Sequence, residues 1–262
     1  MVSALPDLPV LSLLCLAALA AGWVDAVTGG GGLLQLPSLL LALPEAPTVQ
    51  AIATNKLSSV LGTSAATATY ARSTRLDVRT ALPMAAAAMV GAAGGAALAS
   101  SVPSGALRPV IIVALVGVWI WTAARPALGR TQNLRWQGQR RHYVIAVAAG
   151  LAIGFYDGVI GPGTGSFLLI VLVAGLGYSF LQASATAKVV NLSTNVAALI
   201  VFGLAGAPLW WLGLAMGVFN VLGAVIGARM AVTRGSGFVR AVFLVVVAVL
   251  IVRLGWDQLR AA

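Results

Sequence analysis

The chain contains itself twice. Residues of the first half recur 132 positions later with no gap, so that Gln50-Ala51-Ile52-Ala53-Thr54-Asn55-Lys56 reads again as Gln182-Ala183-Ser184-Ala185-Thr186-Ala187-Lys188. Gly22, Asp25, Val27, Gly29 and Gly31 return as Gly154, Asp157, Val159, Gly161 and Gly163, and Gly91 and Gly95 return as Gly223 and Gly227. One offset aligns a carboxylate, a glycine cluster, a lysine and a small-residue stripe. A duplicated unit of this length restricts the fold to two copies of one layout, and charges among the matched positions point to a shared site between the copies.

The medium is set by composition: 60% of the residues are hydrophobic and only 8% are charged, more apolar surface than a soluble domain can bury. Apolar runs of about 20 residues, enough to cross a bilayer, occupy 8–27, 47–70, 81–100 and 107–124, and again 143–160, 181–202, 209–228 and 239–254. Two shorter runs, 33–43 and 167–176, follow the glycine clusters and read as broken or re-entrant helices. The expected fold is an all-α polytopic membrane protein of about eight transmembrane helices in two homologous four-helix halves. The halves span 1–124 and 143–262, joined by an Arg-rich linker at 125–142.

The net charge of +10 resides mostly in loops. Arg72, Arg75 and Arg79 fill one, Arg125, Arg130, Arg135, Arg140 and Arg141 the linker, and Arg229, Arg234 and Arg240 a third. That is the distribution of cytoplasmic loops, so the charge implies a lipid bilayer as partner and no nucleic acid. Arg72, Arg75 and Arg79 map onto Leu204, Ala207 and Trp211, which carry no charge, so corresponding loops face opposite sides and the halves read as inverted. Inversion places eleven arginines inside against ten for a parallel arrangement, a margin of one. It also requires each short apolar run to complete a crossing together with its glycine-rich lead-in. Trp119, Trp121, Trp210 and Trp211 read as interface anchors. The segment 10–21 resembles a signal-peptide core, yet no basic residue precedes it, and the repeat includes the glycines that follow, so retention is expected. With one cysteine, Cys15, and one histidine, His142, neither a disulfide nor a metal cluster is expected, and no cofactor. The same poverty argues against a membrane-embedded enzyme.

The polar residues left inside apolar runs carry the chemistry. Asp25, Asp157, Lys56 and Lys188 are each costly near a bilayer centre unless paired or wetted. They read either as substrate-binding and coupling groups or as buried pairs that fix helix register. Gly29-Gly30-Gly31-Gly32 and Gly161-Pro162-Gly163-Thr164-Gly165-Ser166 each precede a short helix, whose free N–H groups suit a small anion. The same glycines can also serve only to permit a bend or close packing, which is the reading for Gly91, Gly95, Gly223 and Gly227. Lys188, Asn191 and Asn195 share one helix face, as do Asn55, Ser58 and Ser59, and such stripes must face protein or water. The candidate anion site comprises Lys56, Lys188, Thr54, Asn55, Gly29, Gly31, Gly161, Gly163, Thr164, Gly165, Ser166, Asn191 and Asn195; Asp25 and Asp157 are its coupling or ion-pair groups.

Trp23-Val24-Asp25-Ala26-Val27-Thr28-Gly29-Gly30-Gly31-Gly32-Leu33, Ala53 to Leu57, Tyr156-Asp157-Gly158, Gly161 to Phe167 and Ala185 to Asn195 together resemble the sulfite exporter TauE/SafE family. The resemblance covers nearly the whole chain. It implies a bacterial inner-membrane protein of roughly eight spans that exports sulfite, sulfoacetate or related organosulfonate anions. The position matching Asn55 is Ala187, so the two half-sites differ chemically. The resulting expectation is a secondary transporter of a small inorganic or organosulfur anion working by alternating access, with proton coupling; a passive anion channel and a non-transporting assembly factor are the alternatives. The sequence is silent on oligomeric state.

Overall fold

The computed structural model describes residues 6–99, 116, 119, 120, 122–124 and 127–261. The expected span at 107–124 lies almost wholly outside the described residues, as does Arg125 of the linker. The elements are α1 (Leu8–Thr28), α2 (Gly32–Ala42), α3 (Thr48–Ser73), α4 (Val78–Leu98), α5 (Arg140–Val159), α6 (Thr164–Ile170), α7 (Phe180–Leu204) and α8 (Trp210–Ala261). α6 continues through a π-helical turn, Val171–Leu176. Helix starts at Leu8, Gly32, Thr48 and Val78 are followed by starts at Arg140, Thr164, Phe180 and Trp210, each 132 residues on. Among the described residues, α1, α4, α5, α7 and α8 are long and apolar enough to cross a membrane. α3 has the length, 26 residues, but carries a polar row.

Two boundaries differ from the sequence reading. Residues 209–228 and 239–254 were expected as separate spans around a basic loop; two helices are indeed present within 210–261, meeting at a break at Gly235, where φ is 72° and ψ is −169°, but the basic stretch between the spans is helical rather than a loop. Arginine and alanine are good helix formers, so the basic stretch stays helical and glycine alone breaks it. Likewise Arg140, Arg141 and His142 form the first turn of α5 rather than the end of a linker.

Small residues bring the long helices into backbone contact. A Cβ on Gly91 would lie 2.2 Å from the Leu151 carbonyl oxygen, and one on Gly95 2.1 Å from that of Phe155, so α4 and α5 touch without intervening side chains. The same holds between α1 and α8: Cβ atoms on Gly223 and Gly227 would meet the carbonyl oxygens of Leu19 at 1.9 Å and Trp23 at 2.6 Å. Leu19 and Trp23 are the offset counterparts of Leu151 and Phe155, so the contacts are reciprocal. Association without a hydrophobic driving force relies on such close packing. The outward faces carry exposed Leu13, Leu16, Leu82, Val90, Val218 and Val245, an apolar coat that water would penalise and lipid tails accept.

The centre is occupied by α3 and α7. Lys56 Nζ donates to Asn195 Oδ1 at 3.1 Å, while farther along α3 the Tyr70 hydroxyl donates to the Ala26 carbonyl and, from the early part of α7, Ser184 donates to the adjacent carbonyl of Val27. Rising numbers on α3 therefore face falling numbers on α7, and the two helices run antiparallel.

Candidate functional site

Where α3 and α7 cross, the tips of α1 and α5 and the starts of α2 and α6 converge. α1 ends because Gly29 adopts φ 81°, and the α5–α6 connection turns on Gly161 and Gly163, with φ of 90° and 87°. These left-handed conformations favour glycine, and they release backbone donors at two interrupted helices. Gly29 and Gly165 pack backbone on backbone: a Cβ on either would come within 2.3 Å of the other's Cα. The interruptions thereby meet at the middle of the protein.

Two ion pairs flank this meeting point. Lys56 Nζ lies 2.7 Å from Asp157 Oδ2, each side chain 2% exposed. The approach is angled, a charge contact rather than an aligned hydrogen bond. Lys188 Nζ donates to Asp25 Oδ2 at 2.8 Å; Lys188 is buried and Asp25 is 18% exposed. Thr164 Oγ1 lies 2.7 Å from Asp157 Oδ1 and 2.6 Å from the Gly161 carbonyl oxygen. Each lysine neutralises one aspartate, which is the condition for holding four ionisable groups within a membrane.

A cavity of about 20 Å³ sits among them. Of the residues expected from sequence, Asp25, Gly29, Asn55, Lys56, Asp157, Gly161, Gly163, Thr164, Gly165, Asn191 and Asn195 line it. Four do not. Thr54 Oγ1 donates to the Gln50 carbonyl and accepts from Leu209 N–H, tying α3 to the start of α8. Gly31 gives way to the Ala21 carbonyl and the Asp25 side chain. Ser166 donates to the Thr28 carbonyl. Lys188 lies behind Asp25. Gly32 and Ser59 complete the lining and were absent from the expected site; Ser59 belongs to the polar face of Asn55, and Gly32 is the position matching Thr164. Asn55 is 6% exposed and its Oδ1 has no hydrogen-bond partner. A buried amide oxygen left unsatisfied at a cavity wall is an unmet acceptor, a place for a hydrogen-bond donor.

A multi-pass helical bundle with a neutralised charge cluster at two broken helices defines a membrane transporter class. The chain matches the sulfite exporter TauE/SafE family over residues 14–254 and belongs to it. It is 36% identical over 244 residues to a probable membrane transporter protein, ORF9, of a Sinorhizobium species, covering 93% of this chain and 92% of that protein. It is 33% identical over 250 residues to the probable membrane transporter protein YfcA of Escherichia coli K12, covering 95% and 90%. A probable membrane transporter protein of Haemophilus influenzae is 30% identical over 249 residues, at 95% of each chain. No solved structure matches significantly. The protein is thus a membrane transporter of the TauE/SafE type.

Proposed function

We propose that this protein is a secondary transporter of the bacterial inner membrane that exports a small sulfur oxyanion, sulfite or an organosulfonate such as sulfoacetate, together with a proton. In this reading its two homologous halves, 1–124 and 143–262, are inverted about the centre and joined by the segment 125–142. They rock about the Lys56–Asp157 cavity to open it to one side at a time. The antiparallel course of α3 and α7 and the reciprocal glycine contacts support inversion.

The observation that carries the proposal is the buried Lys56–Asp157 pair at the wall of the central cavity. As the structure stands the site is neutral. An arriving anion takes Asp157's place at Lys56, and a proton arriving on Asp157 keeps the site neutral, so the loaded site avoids the cost of an unpaired buried charge. Thr164 suits both states. When Asp157 is ionised, one hydroxyl hydrogen serves Asp157 and the Gly161 carbonyl by turns. When Asp157 is protonated at Oδ1, it donates to Thr164 Oγ1, which donates in full to Gly161. Backbone N–H groups at the broken helices and the Asn55, Asn191 and Asn195 amides supply neutral donors for the oxygens. The 20 Å³ cavity admits a group of water size, so an oxyanion needs the halves to part, which favours a carrier over a passive channel.

The test is flux of labelled sulfite, sulfate, sulfoacetate and a short carboxylate in proteoliposomes, with and without a pH gradient. Saturable, gradient-driven flux that Lys56→Ala abolishes supports the assignment. Flux unchanged in Lys56→Ala and indifferent to the gradient overturns it.

A further inference from the structure

Well away from the central pairs, a second cavity of about 430 Å³ opens where the segment 132–138 folds over the starts of α4 and α5. This volume is typical of small-molecule sites. Arg75 and Arg79 stand in its wall with the amides of Gln132, Gln137 and Gln182. The ion pairs among the described residues are Lys56–Asp157 and Lys188–Asp25, so neither guanidinium is neutralised by a carboxylate. Asp77 also lines the cavity, but its oxygens are already engaged. Oδ1 accepts from Thr80 N–H at 3.3 Å, and Oδ2 accepts from the Tyr178 hydroxyl at 2.5 Å and the Thr80 hydroxyl at 3.0 Å.

The floor holds a proton-counting problem. His142, buried at the start of α5, places Nδ1 3.0 Å from the Arg135 carbonyl oxygen, which can only accept, so Nδ1 carries a proton. Its Nε2 lies 3.0 Å from Thr80 Oγ1. The Thr80 hydroxyl hydrogen goes to Asp77, leaving its oxygen as an acceptor, so Nε2 must donate as well. The complete network therefore requires doubly protonated, cationic His142. When neutral, His142 keeps Nδ1–H, Thr80 turns its hydroxyl to Nε2, and the Thr80–Asp77 bond is lost. The charged and titratable groups around the imidazole are Asp77 and Arg79 from the start of α4, Arg75 from the turn before it, Arg135 from the linker, Tyr178 from the turn before α7, and Arg140, Arg141 and Tyr143 from α5 itself. Of these, Arg141 stacks over Trp136 at 4.2 Å.

We infer that this linker-side cavity is a second anion site, taking the sulfate, sulfonate or phosphate group of a small solute or lipid headgroup between Arg75 and Arg79, with His142 beneath it as the charge that switches on when the site fills. The oxyanion accepts from the two guanidinium forks and the glutamine amides. Its negative charge favours the imidazolium, and the imidazolium completes the Asp77–Thr80 network, so occupancy clamps the linker to α4, α5 and the turn before α7.

Because His142 is the single histidine of the chain, ¹⁵N-histidine labelling reports it alone once any affinity tag is removed. The experiment follows the doubly protonated fraction of His142 at pH 6.5 in full-length protein held in phosphatidylcholine nanodiscs, titrated with sulfate against chloride at equal ionic strength. The expected result is a saturable rise with sulfate that disappears in the Arg75→Gln/Arg79→Gln variant, whose exposed positions leave the fold intact. A rise without sulfate when phosphatidylglycerol is included, equally lost in the variant, supports the site with a lipid phosphate as occupant. No response to sulfate or phosphatidylglycerol, or an equal response in the variant, overturns it. The readout requires no transport and is independent of the central site.

Discussion

Lys188 Nζ lies 2.8 Å from Asp25 Oδ2, and the residues 132 positions from each, Lys56 and Asp157, form the other central ion pair at 2.7 Å. Each pair takes its lysine from one part of the duplication and its aspartate from the other. The pairs are unequal in setting: Asp157 is sealed and backed by Thr164, whereas Asp25 is 18% exposed and the position matching Thr164 is Gly32.

Removing Lys56 strands Asp157. Lys56→Ala is expected to cost about 3–5 kcal/mol, the usual penalty for breaking a buried pair from one side. The double variant Lys56→Ala/Asp157→Ala should recover much of that stability and none of the flux. Thermal unfolding in detergent, set beside proteoliposome flux, checks both; a double variant as unstable as Lys56→Ala contradicts the account.

Asn55 and Thr54 are neighbours with different tasks. Asn55→Ala is expected to leave stability nearly unchanged, because Oδ1 has no partner, and, through loss of the Nδ2 donor, to weaken the anion's apparent affinity by about tenfold to a hundredfold, the worth of a hydrogen bond to a charge. Thr54→Val should do the reverse. It orphans the Leu209 N–H at a cost of about 1–3 kcal/mol while KM stays put. Concentration dependence of flux and unfolding curves separate the two.

Gly91→Ala places a methyl group 2.2 Å from the Leu151 carbonyl oxygen, backbone that cannot step aside. The α4–α5 contact must open, with an expected loss of about 1–3 kcal/mol or more. Gly94→Ala, on the same helix, meets nothing within 4 Å and should be silent or slightly stabilising. Paired melting curves of the two variants are the check.

Burial pushes Asp77 up, but donors from Tyr178 and Thr80 and the nearby His142 outweigh it, so its carboxyl titrates below the usual 3.8. A folded value below the unfolded one stabilises the protein above the unfolded value, and that stability is lost as pH falls through the folded value. Asp77→Asn should therefore lower the melting temperature at pH 6, and the difference from wild type should shrink as pH falls below about 4. A difference constant from pH 6 to pH 3 would count against the network.

Much of this architecture is legible in the residues. The apolar runs locate α1, α3, α5 and α7 within a few positions, because spanning segments must be apolar and their ends are marked by Gly, Pro or charge. The glycine clusters announce the interrupted helices. The break between the last two spans was legible, but the helical course of the basic stretch up to Gly235 was hidden, since nothing in the sequence distinguishes a basic loop from a basic stretch of helix. Lys188 shares its face with Asn191 and Asn195, so helical periodicity assigns all three to the cavity, yet Asp25 draws the lysine aside.

The sequence by itself determined the medium, the duplication, the positions of the broken helices and the four ionisable residues within apolar runs, because hydropathy, backbone freedom and the cost of charge in lipid are properties of residues in order along a chain. Only the tertiary structure decided which lysine meets which aspartate. Coulomb attraction is indifferent between Lys56 with Asp25 and Lys56 with Asp157. The antiparallel crossing of α3 and α7, with glycine contacts that seat α1 on α8 and α4 on α5, puts Asp157 within reach of Lys56 and Asp25 within reach of Lys188.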